Sequence, residues 1–178
     1  YAGKIIGTVK TKGLRSPANV LVYLSGAPAV SVDLSKARFL MDQRNLSFIP
    51  HILPVLVGAE IQFPNNDQVK HNVFSLSRTK KFNLGSYGPG EGKTVLFGKP
   101  GVVQLRCDAH AEMGAYIIVM KNPYFAVTGP GGKFEIPGAK YLDQHGIQGI
   151  KGLAPGKYFI KTWHEKLKSK KQSVVVPE

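Results

Sequence analysis

Cys107-Asp108-Ala109-His110-Ala111-Glu112-Met113, preceded by 102–106 (VVQLR) and followed by Tyr116-Ile117-Ile118-Val119-Met120, is the stretch on which the fold turns. Its flanks are rich in β-branched residues, the composition of strands. Asn122-Pro123 stops the second flank, because proline supplies no N–H to a ladder. Between the two strands a thiol, an imidazole and a thioether recur three residues apart. A turn there can aim all three at one centre.

Working outward, strand patterns dominate the chain. Glu60-Ile61-Gln62-Phe63 alternates polar and apolar, as a strand with one buried face does. Pro64-Asn65-Asn66-Asp67 is a dense turn signal, and His71-Asn72-Val73-Phe74-Ser75-Leu76 reads as the next strand. Residues 93–97, Phe48-Ile49-Pro50 and Pro54-Val55-Leu56-Val57 continue the texture. Near the start, Ile5-Ile6-Gly7-Thr8-Val9-Lys10 and Asn19-Val20-Leu21-Val22-Tyr23-Leu24 are strands. Near the end, 133–136, 157–163 and 173–176 are strands. Residues 34–41 carry a weak signal for one helical turn, 85–92 read as a glycine-rich loop, and no long helix is expected. The chain is therefore all-β, built from sandwiches of short antiparallel strands.

Composition narrows the function. The chain has 178 residues, 43% of them hydrophobic and 10% aromatic, enough for a buried core. A single cysteine forbids an internal disulfide and excludes four-cysteine zinc or iron–sulfur sites. No apolar run reaches the roughly 18–20 residues of a membrane helix. Lys plus Arg outnumber Asp plus Glu by 24 to 11. The excess is spread along the chain, with one local cluster at Lys166, Lys168, Lys170 and Lys171. A field of this sign attracts acidic partners. No zinc-finger, RNP or Walker pattern accompanies it, so nucleic acid is not the expected partner.

The chemistry lies in the ligand-type residues. His71, at a strand start just after a turn, adds a second imidazole 36 residues upstream of Cys107. Two imidazoles and a thiolate in one plane, with a weak axial thioether, are the donor set of a blue-copper electron-transfer site. Soft sulfur favours Cu(I), and imidazole tolerates Cu(II). Each residue alone has a plainer use: a free cysteine is ordinarily a small buried apolar group, and Met113 could belong to the core. Their joint occurrence points to His71, Cys107, His110 and Met113 as ligands of one copper ion. His51, His145 and His164 are read as non-ligands, with His145 exposed. No Ser/His/Asp order, paired-carboxylate site or phosphate-cradling loop competes.

Residues 39–121 resemble the cupredoxin family of small blue copper proteins, of the plastocyanin and amicyanin kind. The resemblance rests on the Cys-x-x-His-x-x-Met spacing, Phe48-x-Pro50, Val57-Gly58, Ile61-x-Phe63, Asn65/Asn66-Asp67 and His71-Asn72-Val73. It implies a Greek-key β-sandwich, a type 1 copper site, and an amide of Asn72 tying the two ligand segments together. Asp108 and Glu112 depart from the usual apolar loop, and Glu112 is an alternative to Met113 as axial ligand. The resemblance, with the missing initiator Met, implies a processed protein of the periplasm or another extracytoplasmic place.

The flanks resemble a second family. Val127-Thr128, Lys133-Phe134-x-Ile136 and Leu153-Ala154-Pro155-Gly156-Lys157-Tyr158 are similar to the carboxypeptidase regulatory-like, transthyretin-type β-sandwich. Its opening strands are missing beside Pro123, yet Gly7-Thr8-Val9 and Val20-Leu21-Val22-Tyr23 stand at the N-terminus. Residues 1–30 and 123–178 are therefore expected to form one sandwich, with a copper domain of 31–122 inserted into it. The alternative is an N-terminal extension, a cupredoxin and an independent C-terminal module. The expected protein is an electron carrier rather than an enzyme, docking to an acidic redox partner with an affinity that falls as salt rises. Copper handling or delivery, and a redox domain accessory to a larger copper enzyme, are the alternatives. The oligomeric state and the purpose of the insertion 138–152 are not legible.

Overall fold

The computed structural model describes residues 1–27 and 29–178. They form two compact units: Tyr1–Asp33 with Asn122–Glu178, and Leu34–Lys121. The first begins with β1 (Ile5–Thr8) and β2 (Leu21–Ser25). The second holds β3 (Phe39–Leu40), β4 (Asp42–Arg44), β5 (Ser47–Ile49), β6 (Ile52–Leu56), β7 (Ala59–Pro64) and β8 (His71–Ser75). It continues with β9 (Phe82–Tyr87), β10 (Gly92–Phe97), β11 (Gly101–Arg106) and β12 (Gly114–Met120). The chain then returns to the first unit with β13 (Phe125–Val127), β14 (Lys133–Ile136), α1 (Ala139–Gln144), β15 (Gly156–Trp163) and β16 (Lys171–Val176). The architecture is all-β apart from one short helix.

In Leu34–Lys121 a five-stranded sheet runs β6-β12-β11-β8-β9 and a three-stranded sheet runs β10-β7-β3, with β4-β5 as a separate hairpin. Strand β7 alternates buried and exposed residues and so turns Ile61 and Phe63 into the core. The Phe63 ring lies 6.0 Å from that of Phe82 on the other sheet, and Phe82 meets Phe97 edge-on. The two sheets therefore close on a shared aromatic core. Pro54 is tolerated in β6 because that strand is an edge.

In the other unit β1 pairs with β14, and a four-stranded sheet runs β13-β2-β15-β16. Val9 and Val22 share one apolar cluster with Ile136, Phe134 and Tyr158. The side chain of Thr128 accepts the Val20 N–H, 108 residues away in sequence, at 3.1 Å.

Three local expectations need correction. Within 34–41 only a reverse turn forms, closed by the Ala37 N–H on the Leu34 carbonyl, and Phe39–Leu40 then pair parallel to β7. Burial of Phe39 outweighs the weak helical signal. The supposed loop 85–92 begins inside β9. Gly85, at φ +71°, supplies the extra residue of a bulge between Asn72 and Phe74, and the strand runs on to Tyr87. The insertion 138–152 does contain a helix, α1, whose Leu142 is buried while Tyr141 stands edge-on to Phe125.

Candidate metal centre

His71 opens β8, directly after the turn of residues 65–70, and Cys107 follows the last residue of β11. His110 and Met113 lie in the connection to β12, where the Met113 N–H donates to the His110 carbonyl at 3.0 Å and closes one turn. Sheet pairing does the assembling. Strand β8 neighbours β11, with Arg106 opposite Phe74, so the start of β8 and the end of β11 lie at the same end of the sheet.

The Cys107 Sγ stands 4.0 Å from His71 Nδ1 and 3.7 Å from His110 Nδ1. One donor atom from each residue falls within 4.8 Å of the others, and the two rings meet at 4.9 Å and 64°. First-row ions bind imidazole and thiolate at about 2.0–2.3 Å, so separations of this size suit a shared ion. His71 is wholly buried and Cys107 nearly so, while His110 is half-buried. Met113 is buried in the same loop, whereas Asp108 and Glu112 are exposed.

Around the donors lies a polar frame. Asn72 Oδ1 accepts the Asp108 N–H at 3.3 Å, and its Nδ2 donates to Asn83 Oδ1 at 2.8 Å. It thereby joins the His71 strand to the Cys107 loop. Asp67 Oδ2 lies 2.7 Å from His71 Nε2. The Leu46 N–H reaches the same oxygen at 2.8 Å, and the Gln68 N–H donates to Oδ1 at 2.8 Å. These donors, Leu46 first, then His71 and Gln68, hold the Asp67 carboxyl down to about 2. An ionised carboxylate offers no proton, so in the neutral ring Nε2–H is the donor. The Nδ1 lone pair of His71 is then left facing Cys107.

The hairpin β4-β5 supports this turn residue by residue. Asp42 Oδ1 accepts from Asn66 Nδ2 at 2.9 Å, and the Asn66 N–H donates to the Gln43 carbonyl at 3.0 Å. Gln43 Nε2 donates to the Tyr87 hydroxyl at 2.7 Å, which donates in turn to the Phe63 carbonyl. Burial pushes the Tyr87 phenol up to about 12. The hairpin tip holds Asn45 and Leu46 at φ 52° and 57°, the conformation of a two-residue type I′ turn. An L-residue such as Leu46 carries a cost of about 1–2 kcal/mol there.

The sequence-predicted donors His71, Cys107 and His110 are thus brought together. His51 instead packs its ring edge-on to Tyr116, and the Lys166 N–H donates to His164 Nδ1. His145 is not exposed: its ring lies 4.3 Å from that of Tyr141 and its Nδ1 bonds the Tyr141 carbonyl at 2.7 Å. The i to i+4 geometry of α1 creates that contact. The roles of Asp67, Gln43, Asn83 and Tyr87 were not legible. Asp67 is the partial exception, since a carboxylate four residues before a ligand histidine is a signal worth reading.

Solved structures offer a comparison. The purple cupredoxin from Nitrosopumilus maritimus is 23% identical over 47% of this chain and 99% of that one, with a TM-score of 0.41. The copper-containing nitrite reductase from Thermus scotoductus is 24% identical, covers 52% of this chain and has a TM-score of 0.46. This chain spans a quarter of that enzyme's length, 25%. A reduced amicyanin variant is 17% identical over 56% of this chain and 98% of its own, with a TM-score of 0.44. The chain is similar to solved cupredoxins. No family model matches it, and no curated protein does.

Proposed function

We propose that the protein is a mononuclear type 1 copper protein that carries single electrons. The observation that carries this reading is the convergence of His71 Nδ1, Cys107 Sγ and His110 Nδ1 from two separate segments. Met113, buried in the same loop, would supply the fourth donor, a thioether, and exposed Glu112 is less well placed to replace it. Bound copper would supply a Cu(I)/Cu(II) couple. The chain's own contribution is a donor set already gathered and framed by Asn72, so that little atomic movement accompanies the change of charge. His110, half-buried at the edge of the cluster, is the exit for electrons.

The excess of 24 basic over 11 acidic residues supports docking to an acidic redox protein. The motif resemblance supports a periplasmic or other extracytoplasmic setting. Residues 1–30 with 123–178 are read as the transthyretin-type sandwich into which the copper domain is inserted. The cluster shared by Val9, Val22, Phe134 and Tyr158 supports that reading, and the sandwich serves as scaffold or docking module.

Titration with Cu(II), followed by visible absorption and voltammetry, tests the function. Intense thiolate-to-copper bands absent from Cys107→Ala, together with a reversible one-electron wave, are expected. A colourless protein that binds only zinc overturns the reading. Rapid exchange of Cu(I) with chelators and no reversible wave would replace it with copper delivery.

A further inference from the structure

Three features of the His71 side of the cluster belong together. First, Asp67 Oδ2 is the partner of His71 Nε2, at 2.7 Å, on a ring that is wholly buried. Second, that same oxygen is held from the other side by the Leu46 N–H at 2.8 Å, delivered by a turn whose two central residues both have positive φ. Third, the base of the same hairpin grips the preceding residues, through Asp42 to Asn66 and Gln43 to Pro64 and Tyr87. An ordinary surface turn needs none of this. A backbone conformation that costs energy is kept where the rest of the structure holds it in place, and such places cluster at functional sites.

We infer that Asp67 is a positioning residue, and that the β4-β5 hairpin, acting through the Leu46 N–H and Asp67, fixes the His71 ring with Nε2 protonated and Nδ1 open toward Cys107. The inference rests on the copper reading above and deepens it. An anionic acceptor on Nε2–H makes Nδ1 a stronger donor, as carboxylate–histidine pairs do at other metal sites. The gain is larger for the doubly charged ion than for the singly charged one, because the carboxylate's negative charge interacts with the full charge of the metal. Asp67 therefore favours Cu(II) over Cu(I). His110 shows no equivalent carboxylate contact among the described residues, so the two imidazoles play unequal parts. The buried one sets the potential and the half-buried one meets the partner.

The experiment compares the full chain with Asp67→Asn and with Thr128→Val, which removes buried hydrogen bonds in the other unit. In the metal-free protein, long-range nitrogen–proton correlation spectra report which ring nitrogen of His71 carries the proton. The Nε2–H form is expected in the parent and in Thr128→Val, whose lost bonds lie on Val20 and Pro17. A mixture of forms is expected in Asp67→Asn. With copper alone as the probe, Asp67→Asn should lose about 10–100-fold in Cu(II) affinity. It should lose less for Cu(I), and its reduction potential should move upward. Thr128→Val should match the parent in both. The inference is overturned if His71 in the parent is not the Nε2–H form. It is equally overturned if Asp67→Asn loses Cu(I) and Cu(II) affinity alike, or leaves the potential unmoved. If the parent shows the expected ring form yet binds no copper, the electron-carrier reading fails while the positioning of His71 by Asp67 stands.

Discussion

The two units are made of the same material, short strands of β-branched and aromatic residues, yet they spend buried polarity differently. Among the described residues Leu34–Lys121 buries Asp42, Gln43, Asn65, His71, Asn72 and Ser75, whereas the other unit buries Asn122 and Thr128 in this class. A buried polar group is costly unless paired. In the unit of Tyr1–Asp33 and Asn122–Glu178, Thr128 uses its pairing to join distant parts of the chain, with the Val20 N–H donating to it and its hydroxyl donating to the Pro17 carbonyl. In Leu34–Lys121, most of the pairings surround His71 and Cys107. Buried polarity serves chain assembly in one unit and donor orientation in the other.

The largest test of this contrast removes an aromatic from the core behind the donors. Phe63 is fully buried against Phe82 and Phe97, so Phe63→Ala should cost about 3–5 kcal/mol of stability. Denaturant unfolding measures that loss, and copper binding should weaken with it. A copper spectrum and affinity equal to the parent's would show that the core behind the donors does not hold them.

A paired test is sharper. Asn72→Ala and Thr128→Val each strip a buried side chain of two hydrogen bonds, at about 1–3 kcal/mol apiece. Asn72→Ala should also shift the thiolate-to-copper bands, while Thr128→Val leaves them in place. Equal spectral change in both variants would break the division of labour drawn above.

The smallest effect concerns alkaline pH. Burial raises the Tyr141 phenol above its ordinary value of 10.0. Below pH of about 10 both folded and unfolded chains keep that proton, and stability is unaffected. Above it the unfolded chain releases the proton and the folded chain does not. Stability then falls by about 1.4 kcal/mol per pH unit for this group. Denaturant midpoints between pH 9 and 11 should fall less steeply in Tyr141→Phe than in the parent. Parallel curves would mean that Tyr141 ionises freely in the folded protein.

Much of this was legible in the residues. Alternation in Glu60–Phe63 and β-branched content in 116–120 marked strands, because period and shape are local properties. The Cys107-x-x-His110-x-x-Met113 spacing marked a candidate ligand loop, because one turn can aim all three side chains at a common centre. Glycine was the less dependable guide. Gly85 reads as loop punctuation, yet it completes a bulge inside β9, since a positive φ is required in both settings. Residues 139–144 gave no clear period, and α1 is too short to show one.

Chain chemistry alone thus settles the strand-rich class and names a thiolate, two imidazoles and a thioether as candidate donors. It cannot say which carboxylate meets which imidazole. Asp67 finds His71 and the Leu46 N–H only after a hairpin 21 residues upstream folds against the turn of residues 65–70. Such contacts depend on register and on the hand of a turn, and those are set by the packing of whole sheets. Local spacing carries no record of them.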